Sequence, residues 1–189
     1  MEAFSDGVIA ILITIMVLEL PKPTGTNLAA LREDVPVLLS YALSFVNIGI
    51  YWNNHHHLLH STQRINGAIL WANLHLLFWL SLVPFSTAWM GENHFAKLPT
   101  VTYGIVLLLA AIAYFILQTA IVKEQGPDST LAAAIGRDRK GKVSPILYTV
   151  AIPLAFVSRW IALGLYVVVA LMWLVPDRRL EPRLNQGSE

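Results

Sequence analysis

Long, nearly unbroken blocks of apolar residues alternate along this chain with short polar links. A helix that crosses the hydrocarbon core of a bilayer needs about 20 mostly apolar residues. Blocks of about this length predict membrane-spanning helices at Phe4–Leu20, Val35–Trp52, Ala68–Met90, Leu98–Val122 and Val143–Val175. The last block is too long for one helix and holds Pro153, Ser158 and Arg159 near its middle, so we divide it into Val143–Ser158 and Arg159–Val175. The sequence therefore predicts an all-α integral membrane protein with six transmembrane helices.

Composition supports this class and excludes others. Hydrophobic residues make up 56% of the chain and charged residues 13%, whereas soluble domains carry about 25% charged residues. The formal net charge of +1 indicates no nucleic-acid partner. The absence of cysteine excludes disulfides and thiolate metal sites. We expect residues 1–176 to form one six-helix transmembrane domain and residues 177–189 to form a polar cytoplasmic tail.

The distribution of lysine and arginine predicts the orientation of the chain. With six spans, nine of the 13 basic residues fall in links and tails on one side of the membrane and four on the other. The positive-inside rule then places both termini in the cytoplasm, together with the Lys123–Lys142 link. The basic cluster Arg137–Lys142 in that link is typical of a topology signal and of contact with lipid headgroups.

The polar start of the first helix has two interpretations. Ser5 and Asp6 can satisfy the free amides of a helix N-terminus. Alternatively, an acid just inside a span needs a partner, and intramembrane carboxylates tend to be functional. The second helix returns to the same side with His55 and His56, and the third begins there and carries Asn73 and His75. Asp6 is therefore expected to meet His55, His56 or His75 in one polar cluster.

Three roles compete for the histidines. A metal site requires ligands at i, i+3 or i+4 on one face together with further donors. The consecutive run His55–His57 fans around a helix, and His60 is predicted at the start of a loop, so we expect no metal site. Proton sensing or transfer remains open. The pattern favours a structural hydrogen-bond network.

An aliphatic stripe runs down the first helix. Ile11, Thr14, Ile15 and Leu18 recur at i, i+3, i+4 and i+7 and so share one face. In lipid such a stripe needs no special explanation. No other helix offers a row of charges for a hydrophilic pore, and the Thr-Val-Gly-Tyr-Gly loop of the common potassium filter is absent. Pattern alone therefore indicates a small polytopic membrane protein.

The chain nevertheless resembles a known family. Its opening, Phe4-Ser5-Asp6-Gly7-Val8-Ile9-Ala10-Ile11, is similar to that of prokaryotic members of the transmembrane protein 175 potassium channel family. Supporting similarities extend over essentially the whole chain, at Thr14, Val17–Leu20, Trp52–His56, Asn73, Pro84, Phe85, Thr87 and Pro176–Arg179.

The resemblance implies a homotetramer of six-helix subunits in which the first helices line a central pore without a carbonyl filter. By position, it implies that Ile11 forms an aliphatic constriction and that Thr14, Ile15 and Leu18 line the same pore. It also implies that a polar network holds the first helix against its neighbours. The residues expected in this network are Phe4, Ser5, Asp6, Trp52, Asn54, His55, His56, Asn73 and His75.

The expected function is that of a potassium-permeable, leak-type channel in the plasma membrane of a prokaryote. No enzyme chemistry, cofactor or metal is expected, and potassium is the permeant ion. One alternative is a proton channel or proton-coupled transporter that uses Asp6, His55, His56 and His75 as a relay. A second alternative is a membrane enzyme or metal-handling protein built on the histidine cluster.

Overall fold

The computed structural model describes residues 1–126 and 139–174, and every regular element in these ranges is an α-helix. The prediction of an all-α protein is therefore confirmed. The predicted tail 177–189, the Pro176–Arg179 segment and most of the Lys123–Lys142 link lie outside the described residues. The helices are α1 (Glu2–Leu18), α2 (Leu28–Glu33), α3 (Val35–His60), α4 (Gly67–Ser81), α5 (Val83–Glu92), α6 (Lys97–Gln125), α7 (Arg139–Val157) and α8 (Arg159–Leu174).

In the part of the chain that the structure describes, three helical stretches are long and apolar enough to cross a membrane. They are α3, the combined stretch Gly67–Glu92 and α6. They correspond to the second, third and fourth predicted spans, which confirms those three. The helix α8 is apolar but shorter, and α1 has 17 residues. The count of six spans therefore stays a prediction.

The third predicted span consists of two helices. The chain leaves regular α geometry at Leu82, between α4 and α5, and Pro84 lies in the first turn of α5. Proline has no amide hydrogen, and its ring clashes with the carbonyl four residues earlier in a continuous helix. Pro84 therefore explains the break, although Gly67–Glu92 still has the length and hydropathy of one span.

The helix α3 is longer than predicted. The predicted apolar span ended at Trp52 and the run to His57 was expected on the same helix, but the helix continues to His60, so the assignment of His60 to a loop was wrong. Polar residues past Trp52 find partners without ending the helix: the amide of Asn54 donates to the carbonyl of Ile50 at 2.8 Å. The end comes at Ser61, whose hydroxyl donates to the carbonyl of His57 at 2.8 Å.

The last apolar block divides where the sequence predicts. The helix α7 ends at Val157, Ser158 lies outside regular helix, and α8 begins at Arg159. The two prolines of this block, Pro145 and Pro153, both lie inside α7, so neither marks the boundary. The helices α7 and α8 pack along each other, and both contact α6.

Two local features have no counterpart in the predicted elements. The short helix α2 begins after Asn27, whose side-chain oxygen accepts the amide of Ala30 at 3.0 Å. After α5, His94 and Phe95 have positive φ angles of 51° and 58°. The amide of Phe95 bonds the carbonyl of Met90, and that of His94 bonds the carbonyl of Gly91, which is a Schellman ending with His94 where glycine is usual.

The helix α6 is the centre of the described bundle, because it packs against α4, α5, α7 and α8. It lies close to α8 at Gly104, where an added Cβ would overlap the hydroxyl of Tyr166. The same hydroxyl donates to the carbonyl of Thr100 at 3.2 Å. In contrast, α1 packs on one side only, against α3, α4 and α5. This edge position leaves much of α1 uncovered by its own chain.

Candidate functional site

The helix α1 has two distinct faces. Ser5, Ile9, Leu12 and Met16 are buried against the rest of the chain. The stripe residues Ile11, Thr14, Ile15 and Leu18 are exposed, with Ile11 at 57% and Leu18 at 81%. Phe4 is also exposed on this side, at 58%. The stripe that the sequence predicts on one face of α1 is therefore a single surface that the subunit itself does not cover.

The hydrogen bonds at the start of α1 differ from simple capping. No side chain of the described residues caps this helix, so the first of the two interpretations, in which Ser5 and Asp6 satisfy its free amides, was wrong. The hydroxyl of Ser5 instead donates back to the carbonyl of Met1 at 3.2 Å. One turn past Ile11, the hydroxyl of Thr14 donates to the Ile11 carbonyl at 2.8 Å. Both side chains thus lie along the helix rather than at its end.

A buried network links α1, α3 and α4 through Asn73. The amide nitrogen of Asn73 donates to the hydroxyl oxygen of Ser5 at 2.9 Å, and its oxygen lies 2.7 Å from His55 Nε2. Because that oxygen can only accept, His55 must carry its proton on Nε2, and within the described residues the Nδ1 atom of His55 has no hydrogen-bond partner. All three residues are buried. Asn73 therefore connects Ser5 of α1 to His55 of α3.

Asp6 lies in a second, more exposed cluster between α1 and α3. The indole of Trp52 donates to Asp6 Oδ1 at 3.0 Å. His56 Nδ1 lies 3.6 Å from Asp6 Oδ2 and 3.2 Å from Glu2 Oε1. Sequence reasoning missed Glu2, although its spacing of four residues from Asp6 places both carboxylates on one helix face. The ring of His56 also stacks on Trp52, at 5.7 Å between centroids.

The expected single cluster of acid and histidines is thus divided. Asp6 contacts His56, His55 faces Asn73, and His75 joins neither group. His75 is exposed, and its Nε2 accepts the indole of Trp79 at 2.9 Å. Asn73 and His75 are two residues apart, about 200° around the helix, so they cannot face the same neighbour. The inclusion of His75 in the network was therefore wrong.

Asn54 also lies apart from these clusters. Its backbone carbonyl accepts the hydroxyl of Tyr114 at 3.2 Å, and its side chain lines a cavity between α3, α6, α7 and α8. A further network, which the sequence did not indicate, joins α3, α5 and α6: the hydroxyls of Ser44 and Tyr103 lie 3.0 Å apart, and that of Thr87 lies 2.7 Å from Ser44. The sequence feature that could have indicated this network is the presence of polar residues inside the apolar spans.

One group of side chains has the composition of a metal site. Ligand atoms of Glu2, Asp6 and His56 lie within 4.8 Å of one another. Two carboxylates and one imidazole can bind a divalent transition metal. All three residues are only partly buried, however, and Asp6 is already engaged by Trp52. The arrangement is equally that of an ion-paired anchor between α1 and α3.

Comparisons with known proteins agree with this architecture. A family model described as the endosomal/lysosomal potassium channel TMEM175 matches residues 1–84. A potassium channel of Chryseobacterium sp. is 52% identical over 187 residues, which is 99% of this chain and 97% of the relative. The crystal structure of a lysosomal potassium-selective channel TMEM175 homolog from Chamaesiphon minutus superposes with a TM-score of 0.81 at 32% identity, covering 92% of this chain and 94% of that one. The endosomal/lysosomal proton channel TMEM175 of Bos taurus is 29% identical over 175 residues, which is 82% of this chain and 36% of the relative.

Proposed function

The chain belongs to the TMEM175 potassium channel family, and on this premise we propose that it is the subunit of a potassium-permeable, leak-type channel. The relatives named above are channels, in agreement with the expectation that the protein is not an enzyme. As a member of this family with several apolar helices, it is a multi-pass membrane protein. Residues 1–176 form the channel domain in this proposal, potassium is the permeant ion, and no cofactor takes part.

The observation that carries the proposal is the uncovered apolar face of α1. A helix at the edge of a subunit, buried on one side and exposed on the other, is suited to line an axis shared by several copies. Ile11, Ile15 and Leu18 follow one another on this face within about 60° of arc. We propose that four copies assemble around these residues as a homotetramer.

The proposed gate is a collar of four Ile11 side chains. A narrow apolar constriction can lose its water and block ions, and no backbone carbonyl filter is then needed. Potassium holds its hydration shell less tightly than sodium, so a dry collar is a smaller barrier for potassium. Thr14, Ile15 and Leu18 continue the lining below the collar, and the Thr14 hydroxyl is held against the Ile11 carbonyl.

The polar contacts of α1 provide the support that such a lining needs. Asn73 and Trp52 hold Ser5 and Asp6 on the buried side, which fixes the rotation of α1 about its axis. This rotation determines that Ile11 rather than Leu12 faces outward. In the proposed topology both termini are cytoplasmic and the protein resides in the plasma membrane of a prokaryote, with the nine-to-four distribution of basic residues as support.

The test replaces Ile11 in purified protein reconstituted in liposomes. Ile11→Asn substitutes an amide that holds water and offers carbonyl oxygens to ions. Potassium flux should rise and discrimination against sodium should fall. Because removing one or two kcal/mol from a barrier changes a rate by roughly five- to thirty-fold, the expected change is well above the scatter of flux assays.

Two controls separate permeation from folding. Val17→Asn places the same amide on an exposed position of α1 about 120° from Ile11, and it should leave flux and selectivity unchanged. Leu12→Asn places it in the buried face, so it should lower the yield of folded protein instead. If Ile11→Asn assembles normally and conducts and selects like the parent protein, Ile11 does not line the pore.

A second candidate function is proton conduction. Two observations favour it: Glu2, Asp6 and His56 converge at one end of α1, and the bovine relative is named a proton channel. The proton relay in this candidate function includes no step through His75, because that side chain bonds Trp79 and faces away from Glu2, Asp6 and His56. Proton entry into liposomes, followed with a trapped pH dye at zero potassium gradient, should be absent in the leading proposal. Entry that is lost in Asp6→Asn would support the proton channel.

A further inference from the structure

A cavity lies inside the bundle on the far side of α3 from α1. It has a volume of about 40 Å³, is lined by residues of α3, α6, α7 and α8, and is partly open to the surface. Its wall carries aromatic rings and neutral polar groups, and none of the lining residues is charged. Along α6 the lining runs from Ala111, at the middle of this membrane-length helix, to Gln118, about two turns from its end.

Two largely buried residues present polar groups to the cavity. Gln118 is 8% exposed and Tyr148 is 3% exposed, and both line the cavity. Neither the amide of Gln118 nor the hydroxyl of Tyr148 makes a hydrogen bond with any part of the protein that the structure describes. Buried polar groups are almost always bonded, because an unmade hydrogen bond is strongly unfavourable in a low-dielectric interior. The polar atoms of both side chains are accessible from the cavity, so an occupant that both donates and accepts hydrogen bonds would satisfy them.

The wall also restricts the chemistry of the occupant. Without a charged residue to neutralise it, an ion would be strongly disfavoured here. The volume accommodates about three waters or the head of one slim molecule. Phe115 forms part of the wall and is itself 50% exposed on the outer surface of α6. The cavity thus reaches the surface of a membrane-length helix beside an apolar ring, which suits a molecule that arrives from the bilayer.

We propose that this cavity is a binding site for the hydroxyl group of a neutral long-chain alcohol. A hydroxyl donates one hydrogen bond and accepts others, so it can satisfy both the Gln118 amide and the Tyr148 hydroxyl. The first carbons of the alkyl chain pack on the rings of Tyr51, Phe115 and Trp173, and the remainder extends past Phe115 into lipid. The site is separate from α1, so it is independent of the pore assignment.

The probe is a bromoalkanol, because bromine quenches tryptophan fluorescence on contact and Trp173 lies in the wall. The protein in detergent micelles is titrated with the bromoalkanol and, as the matched control, with the bromoalkane of equal chain length. We expect saturable quenching by the alkanol alone, and we expect this component to disappear in Trp173→Phe. Gln118→Leu and Tyr148→Phe should each weaken binding about tenfold, the effect of losing one hydrogen bond.

Exposed hydroxyls next to these residues provide the control variants. Thr119→Val and Thr149→Val remove side chains that point away from the cavity and bond only to their own helix. Both should bind like the parent protein. Equal quenching by the alkane, quenching that never saturates, or unchanged affinity in Gln118→Leu would overturn the proposal and leave water as the occupant. If Gln118→Leu does not fold, Tyr148→Phe gives the same test with a smaller change of shape.

Discussion

Replacement of Asn73 tests whether the buried network holds α1 against the bundle. Asn73→Leu keeps a side chain of similar length and removes both hydrogen-bonding groups. The hydroxyl of Ser5 retains its bond to the carbonyl of Met1. His55 loses its only hydrogen-bond partner among the described residues, because its Nδ1 atom has none there. The substitution therefore leaves a fully buried imidazole with both nitrogens unpaired.

The expected loss of stability in Asn73→Leu follows from the number of hydrogen bonds that are removed. Two interhelical bonds, at 2.9 and 2.7 Å, are lost. Measured interhelical bonds in membranes contribute about 0.6 kcal/mol on average and up to about 1.7 kcal/mol. The orphaned imidazole adds desolvation of about 1–3 kcal/mol. Since these contributions overlap, we expect the free energy of unfolding to fall by about 2–3 kcal/mol.

The assay is unfolding in mixed micelles, with rising mole fraction of sodium dodecyl sulfate and helicity followed by circular dichroism. Protein concentration is held constant, because oligomer stability depends on it. Asn53→Leu is the matched control: Asn53 is exposed on α3, and its side chain makes no hydrogen bond within the described ranges. It should change stability by no more than about 0.5 kcal/mol.

A double-mutant cycle gives the sharper result. His55→Phe removes the orphan, so Asn73→Leu combined with His55→Phe should be less destabilised than the sum of the single changes, by about 1–2 kcal/mol. Additive effects would show that the two residues are not coupled. If Asn73→Leu proves as stable as Asn53→Leu, the network does not hold α1 in place.

Three further predictions concern the anchor, the packing and the topology. Asp6→Ala removes the carboxylate that accepts the hydrogen bond of the Trp52 indole. It should lower the yield of assembled oligomer on gel filtration without changing ion selectivity. A well-assembled variant with altered selectivity would place Asp6 in the ion path. Gly104→Ala should destabilise the protein by about 1–3 kcal/mol, because the added methyl group overlaps Tyr166. The control is Gly164→Ala, whose methyl group meets no atom within 4 Å and which should be neutral or slightly stabilising. Equal effects of the two substitutions in thermal unfolding would contradict the close packing of α6 and α8. Because the chain has no native cysteine, an impermeant thiol reagent outside intact cells should label Thr26→Cys and not Gln63→Cys, and the reverse pattern would invert the proposed orientation.

Apolar spans and helix faces are the features of this protein that its sequence predicts well. The long apolar blocks predicted three spans that the structure contains, and the interruption around Ser158 separated α7 from α8 where expected. The helical spacing of Ile11, Ile15 and Leu18 correctly grouped them on one face. These properties depend on composition and on helical periodicity, which neighbouring helices hardly alter.

The sequence predicted helix ends and breaks less well, because a polar side chain can satisfy its hydrogen-bonding groups in more than one way. Asn54 bonds back to Ile50 inside α3, so the polar run past Trp52 did not end that helix. Pro84 did break the third span, although the hydropathy of the surrounding block predicted one continuous helix through this proline. In both cases a hydrogen bond or a steric clash within one turn decided the outcome.

The sequence by itself determined the class of the protein, its apolar helices and the set of polar residues available for contacts. Only the tertiary structure decided which of those residues meet. Asp6 contacts Trp52 and His56, while Ser5 reaches His55 through Asn73, and His75 is left outside. The physical reason is rotation: one residue turns a helix by about 100°, and the packing of α1, α3 and α4 fixes which side chains face one another.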